Sequence, residues 1–203
     1  MMIYGIELEM FYATGTSITI PPKGFPLDGC GAIVELRSIP HTDIYSAAFD
    51  IKAQLRKFQD EGVLLFPTSI GGSNRHRFTL EEYRLAAKQS NKDVSVEVYN
   101  IYGKERRLLP RGLVSTSVQL NFSSRTVPSY VSDNVRIPDQ YGLLDTLRIV
   151  KALDKEFEKE IKESGRVMGE YAIKDNVRLE YRSLPASVFF LNDFEKRVSK
   201  ALS

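Results

Sequence analysis

Apolar and polar positions alternate along several stretches of the chain. Over residues 3–12, Tyr4, Ile6, Leu8 and Met10 take one side and Gly5, Glu7 and Glu9 the other, the period of a half-buried strand. Residues 17–20 predict a short second strand, and the three prolines and several glycines of 21–31 predict a loop. Residues 32–39 alternate again, with Glu35 and Arg37 opposite Val34 and Leu36, and Pro40 ends the run. The cleanest alternation is 114–123. Val114, Thr116, Val118, Leu120 and Phe122 oppose Ser115, Ser117, Gln119, Asn121 and Ser123. Residues 177–183 place Arg178, Glu180 and Arg182 against Val177, Leu179 and Tyr181.

Other stretches carry the helical period. Ile44, Ala48, Ile51, Leu55 and Phe58 form a stripe that starts at Thr42 or Asp43 and stops at Gly62. Residues 63–66 predict a short buried strand, and 69–77 a loop. Thr79 and Glu82 have capping-box spacing ahead of a helix reaching about Asn91. Residues 94–99 alternate, 100–112 predict a loop or hairpin, and 125–138 a further loop. A helix over 139–164 has Leu143, Leu147, Val150, Leu153, Phe157 and Ile161 as its stripe. A short strand over 167–171 and a C-terminal helix with Phe190, Leu191, Phe194, Val198 and Leu202 complete the set. Strands with one apolar and one polar face predict a single α+β domain, a mainly antiparallel sheet with helices on its apolar side and an open, charged concavity on the other.

Composition narrows the chemistry. The 203 residues include 28 basic and 26 acidic side chains, a balance that does not suggest a dedicated nucleic-acid binder. No apolar run is long enough to cross a membrane, so the expectation is a cytoplasmic protein. A single cysteine and two histidines leave oxygen ligands as the source of any metal site, which suits Mg²⁺, Mn²⁺ or Ca²⁺.

The polar strand faces are the candidate chemistry. Residues two apart on a strand share a face, roughly 6.5–7 Å apart, so Glu7 and Glu9 can address one cavity. Glu35 and Arg37, Gln119 and Asn121, and Arg178, Glu180 and Arg182 lie on other polar faces. Such a face is either the solvated side of a sheet or a site where carboxylates hold a cation and arginines hold anionic oxygens. The loop Gly71–Arg77 lacks the Gly-Lys-Ser/Thr ending of a P-loop. It is either a solvated turn or a phosphate cradle using Arg75 and Arg77. The basic segment 104–111 is a solvated loop or a lip that attracts anions. Glu97 is a lesser candidate for the cavity. Cys30 reads as a turn or core residue and His41 as a local hydrogen-bonding group, while His76 has arginine neighbours.

Four segments carry a resemblance. YGIELEMF at Tyr4–Phe11, GCGAIVELRSIP at Gly29–Pro40, VSTSVQLNFS at Val114–Ser123 and VRLEYRSLPAS at Val177–Ser187 resemble the phage-associated carboxylate–amine ligases, or amidoligases. These belong to the glutamine synthetase and glutamate–cysteine ligase superfamily. The resemblance implies a curved antiparallel sheet forming a funnel, helices outside it, ATP, and Mg²⁺ or Mn²⁺. It implies that a substrate carboxylate attacks the ATP γ-phosphate and that an amine then attacks the acyl phosphate. Glu7, Glu9, Glu35 and Glu180 would be metal ligands. Arg182, with Arg178 or Arg37, would contact phosphate or the substrate carboxylate, and Gln119, Asn121, Arg75 and Arg77 would contact the nucleotide. Relatives carry a Gly-His-x-His-like run where this chain has Gln119 and Asn121, an exchange that Mg²⁺ tolerates better than Zn²⁺. The rival expectations are a catalytically inactive, binding or virion-associated relative, and another phosphoryl transfer on the same scaffold. A bacteriophage protein working in its host's cytoplasm fits this resemblance.

Overall fold

A computed structural model describes residues 2–68, 72–90, 98–103, 112–124, 140–174 and 178–203. The alternation at 94–97, the loops at 104–111 and 125–138, Glu97, Gly71 and Val177 lie outside the described residues.

The strands are β1 (Met2–Thr14), β2 (Ser17–Thr19), β3 (Val34–Arg37), β4 (Leu64–Phe66), β5 (Arg75–Arg77), β6 (Tyr99–Asn100), β7 (Leu113–Ser115), β8 (Ser117–Ser124), β9 (Glu170–Lys174) and β10 (Arg178–Tyr181). The helices are α1 (Ile44–Asp60), α2 (Leu80–Ser90), α3 (Gln140–Glu156), α4 (Glu158–Glu163) and α5 (Phe194–Leu202), with a 3₁₀ turn at Ala186–Phe190. Every pairing between described strands is antiparallel. The main sheet runs β2-β1-β8-β10-β9-β6, with β3 and β4 also on β1, and β5 and β7 form a separate ribbon. No helix among the described residues is long and apolar enough to cross a membrane.

The long strand β1 organises the domain, because it runs for thirteen residues and pairs with four partners. Its apolar face buries Ile6, Leu8 and Met10 with Val34, Leu36, Val118, Leu120, Phe122, Leu179 and Tyr181. Helices α1, α3, α4 and α5 cover that face through Ile44, Ala48, Ile51, Val150, Leu153, Phe157, Ile161, Phe194 and Val198. Each such side chain stabilises the fold by about 1.5–3 kcal/mol when fully buried. Tyr181 pins the sheet to α3 by donating its hydroxyl to Asp154 Oδ1 at 2.6 Å. Helix α1 starts as its sequence predicts, with Asp43 accepting from Ser46 N at 2.8 Å. The Thr79–Glu82 capping box also forms, each residue's side chain accepting from the other's backbone N–H at 2.7 and 3.2 Å.

Several boundaries differ from the sequence expectation. The single helix expected over 139–164 is interrupted at Phe157 and forms α3 and α4. The 114–123 alternation is broken at Thr116, where the chain leaves the β5–β7 ribbon and enters the main sheet. Thr116 N donates to Asn74 O at 2.9 Å and its hydroxyl to Pro67 O, so tertiary partners replace the ladder there. Residues 75–77, read as loop, become strand because β7 supplies their backbone partners. The ninth strand is shifted from 167–171 to Glu170–Lys174. Strand β4 is an edge strand with Leu64 exposed rather than buried. The C-terminal helix is delayed by the 3₁₀ turn, so Phe189 is buried and Phe190 exposed.

Candidate functional site

Register brings the candidate residues onto one face. Glu7 lies between Arg37 of β3 and Gln119 of β8, and Glu9 between Glu35 and Ser117. Asn121 lies between Gly5 of β1 and Glu180 of β10. Arg178 lies between Ser123 and Lys174. Arg182 follows in the same alternation, its N–H donating to Glu170 O at 2.9 Å. Glu7, Glu9, Glu35, Glu180, Gln119, Asn121, Arg37, Arg178 and Arg182 therefore share the side of the sheet that the helices leave uncovered.

These groups sit deep, not in the open concavity that the pattern suggests. Glu180 and Gln119 are each 1 % exposed, whereas the Arg37 side chain is 54 % exposed and forms the rim. Burial is tolerable because the groups satisfy one another. Gln119 donates to Glu9 Oε1 at 2.8 Å, and the Ser117 hydroxyl donates to Glu9 Oε2. Arg182 donates to Gln119 Oε1 at 2.9 Å and to Glu180, whose carboxylate also faces Lys174 Nζ at 3.7 Å. Arg178 bridges Asn121 Oδ1 at 2.9 Å and Glu7 Oε1 at 3.4 Å. Arg37 pairs with Glu35 at 2.6 Å.

The fields are uneven across the face. Burial, with Glu7 and Glu9 alongside, pushes Glu35 up to about 9, and Arg37 offsets this only in part. A hydrogen bond with the Glu7 side chain is among the causes that raise Glu35. Burial also raises Glu9, against the pull of Arg182. Burial alone would lower Arg182, but the fields of Glu9, Glu180 and Glu7 outweigh it.

The remaining candidates separate from this cluster. Arg75 donates to Gly165 O at 2.6 Å, at the β7–β8 end of the face. Arg77 is exposed at the far end of β5 and has no hydrogen bond or ion pair to the face among the described residues. His76 points into a small second core, with ring centres 5.8 Å from Phe11 and 4.8 Å from Phe78. Cys30 donates its thiol to Asp28 Oδ2 at 2.6 Å in a turn that Asp28 also ties to Ala32 and Ile33 N–H groups. Burial pushes that thiol far above its ordinary range, which rules out a thiolate nucleophile at neutral pH. His41 Nε2 lies 2.7 Å from Asp50 Oδ2, the local role its position suggests.

Sequence reasoning missed Arg166, Glu170, Lys174 and Ser117. Arg166 has no periodic signal. It is set by the left-handed Gly165 (φ 69°), which ends α4 and returns Arg166 N to Ile161 O at 3.2 Å. Its guanidinium then donates to Ser183 O, Ser115 Oγ, Thr116 O and Arg182 O at 3.2, 3.2, 3.1 and 2.6 Å. One buried side chain thereby ties the sheet switch at Thr116 to the end of β10.

The face fits a divalent cation in one way only. Among the described residues, no group of three or more carboxylate, imidazole or thiolate side chains is placed to hold an ion. Glu7 and Glu35 are a close pair, while Glu9 and Glu180 are engaged by Gln119, Ser117 and Arg182. A pair suits Mg²⁺, which keeps its waters and binds through one or two carboxylates together with substrate phosphates. It does not suit a cation caged by protein alone. No family model matches this chain, and neither does any curated protein or solved structure.

Proposed function

We infer that this face binds Mg·ATP, or Mn·ATP, and joins a carboxylate to an amine through an acyl phosphate, on a glutamine synthetase-like funnel. The observation that carries this reading is the division of one buried face into two halves. Glu7, Glu9 and Glu35 stand on β1 and β3 with Arg37 at the rim, and Lys174, Arg178 and, just past β10, Arg182 stand on the other side around Glu180. Charge separated in this way matches a ligand that brings both a cation and phosphate oxygens.

Glu7 and Glu35 would hold the cation, with Glu9 and Glu180 behind them, and the cation would neutralise phosphate charge. The chain's own residues do the rest. Arg182 and Arg178 are already fixed by Gln119, Glu180 and Asn121, so they can meet oxyanions without reorganising. Gln119 and Asn121 keep those guanidiniums aimed. Arg37, at the rim, is placed to meet an entering carboxylate.

The test is ADP release from Mg·ATP with a panel of carboxylates and amines. Release should require one of each, and Glu180→Gln should lower it on the order of 10–100-fold. Equal rates in both proteins would remove Glu180 from the site. No release with any pair, but retained Mn·ATP binding, would favour the inactive binding relative.

A further inference from the structure

Three guanidiniums gather around one carboxylate at the β7–β8 end of the face. Arg75, Arg166 and Arg182 all act electrostatically on Glu170, which burial raises above the ordinary glutamate range. Yet the Glu170 carboxylate makes no hydrogen bond or ion pair with any of them, or with any other described residue. Only its backbone is engaged, accepting from Arg182 N and donating to Ser183 Oγ at 3.0 Å. A half-buried carboxylate in the field of three cations is thus left without a side-chain partner of its own among the described residues.

The donors around this carboxylate are partly uncommitted. Arg166 spends its guanidinium on three carbonyls and the Ser115 hydroxyl, so it contributes a field and no further bonds. Arg75 uses one nitrogen, on Gly165 O, and Arg182 one nitrogen, shared between Gln119 and Glu180. Among the described residues, the remaining N–H groups of Arg75 and Arg182 have no partner. Asn74, next to Arg75 and bonded through its carbonyl to Thr116, is buried with Nδ2 unpaired among the described residues. Positive charge predominates, which selects an anion. Glu170 adds a second requirement, because an anion beside it must offer a hydrogen. Phosphate carries an O–H at neutral pH, whereas sulfate is fully ionised and would meet Glu170 as a like charge.

We propose that Arg75 and Arg182, in the field of Arg166 and opposite Glu170, form a subsite for inorganic phosphate that discriminates against sulfate. Two guanidiniums donate to its ionised oxygens, and its hydroxyl donates to Glu170. As the place from which the phosphate product leaves, the subsite rests on the function proposed above. As an anion site it needs neither metal nor nucleotide.

Calorimetric titration of the metal-free, nucleotide-free protein with phosphate and with sulfate tests it. Wild type should bind phosphate roughly tenfold or more tighter than sulfate. Glu170→Gln, nearly isosteric, should bring the two anions to similar affinity. Arg75→Ala should weaken phosphate by roughly tenfold, and Arg75→Lys less. Circular dichroism establishes that the variants fold. Wild type that binds neither anion, or both equally, overturns the proposal, as does selectivity that survives in Glu170→Gln. Selective phosphate binding without ADP release would leave the subsite standing and remove the ligase reading. ADP release without selectivity would do the reverse.

Discussion

The two halves of the polar face solve the burial of charge in opposite ways. On β9 and β10, opposite charges touch, with Arg182 on Glu180, Lys174 near it and Arg178 between Glu7 and Asn121. On β1 and β3, Glu35 lies beside two further carboxylates with only the rim residue Arg37 paired to it, and a proton held by Glu35 supplies what is missing. The first half is neutralised by the chain itself. The second is completed by something small and positive, a proton in the free protein and a cation in the proposed complex. A buried ion pair is weak evidence for stability, since its desolvation offsets its attraction. An incompletely compensated cluster is better evidence for a site.

The largest expected effect breaks the self-neutralised half. Arg182→Ala strands Glu180, which is 1 % exposed, and removes the partner of Gln119 Oε1. It should cost about 3 kcal/mol in chemical denaturation, the lower end of the range for a broken buried pair, because Lys174 remains nearby. An unchanged midpoint would mean that the network contributes no rigidity.

A pH series sharpens the other half. Glu35 has its proton affinity raised in the fold, so the native state holds a proton that the unfolded chain releases above the ordinary glutamate range. Stability should therefore fall as pH rises from about 4.5 to about 9. Glu35→Gln removes that dependence, so the variant should gain on wild type across this window, with the difference levelling off above it. Parallel pH–stability curves would show that Glu35 holds no extra proton in the fold.

The smallest effect is at the rim. Arg37→Ala should cost less than about 1 kcal/mol, as for other solvent-exposed partners, and should further raise the proton affinity of Glu35. A loss as large as that of Arg182→Ala would erase the distinction between the halves.

Much of this arrangement is legible in the chain. Period-two alternation in β1, β3, β8 and β10 assigns the glutamates, Gln119, Asn121 and the strand arginines to polar faces. The prediction of an antiparallel sheet with helices on the apolar side then puts those faces together. The break at Thr116 is not legible, because the local alternation runs through it without interruption. Only Asn74, Pro67 and Arg166, distant in sequence, divert the strand into a second sheet. For the same reason Arg75–Arg77 reads as loop until Leu113–Ser115 pairs with it. Arg166 is hidden because its role is fixed by a helix-ending turn, and Glu170 because the short strand predicted over 167–171 carried no assignment of faces, which only pairing with β10 and β6 supplies. Gln119 and Asn121 read in the sequence only as amides on a polar face, and the structure gives them a definite task, holding Arg182 and Arg178 in place.

A sheet that buries carbon on one side and ionised groups on the other also has a calorimetric signature. Exposing apolar surface raises the heat capacity of unfolding, and exposing polar surface lowers it. Hydrating Glu180, Gln119, Asn121 and their arginines should therefore cancel part of the increment released by Leu8, Leu36, Leu120 and Tyr181. The stability curve should be flatter than that of a chain whose sheet is apolar on both sides. Ion hydration weakens on heating, so the polar face should become less costly to bury as temperature rises and hold its network together near the melting point.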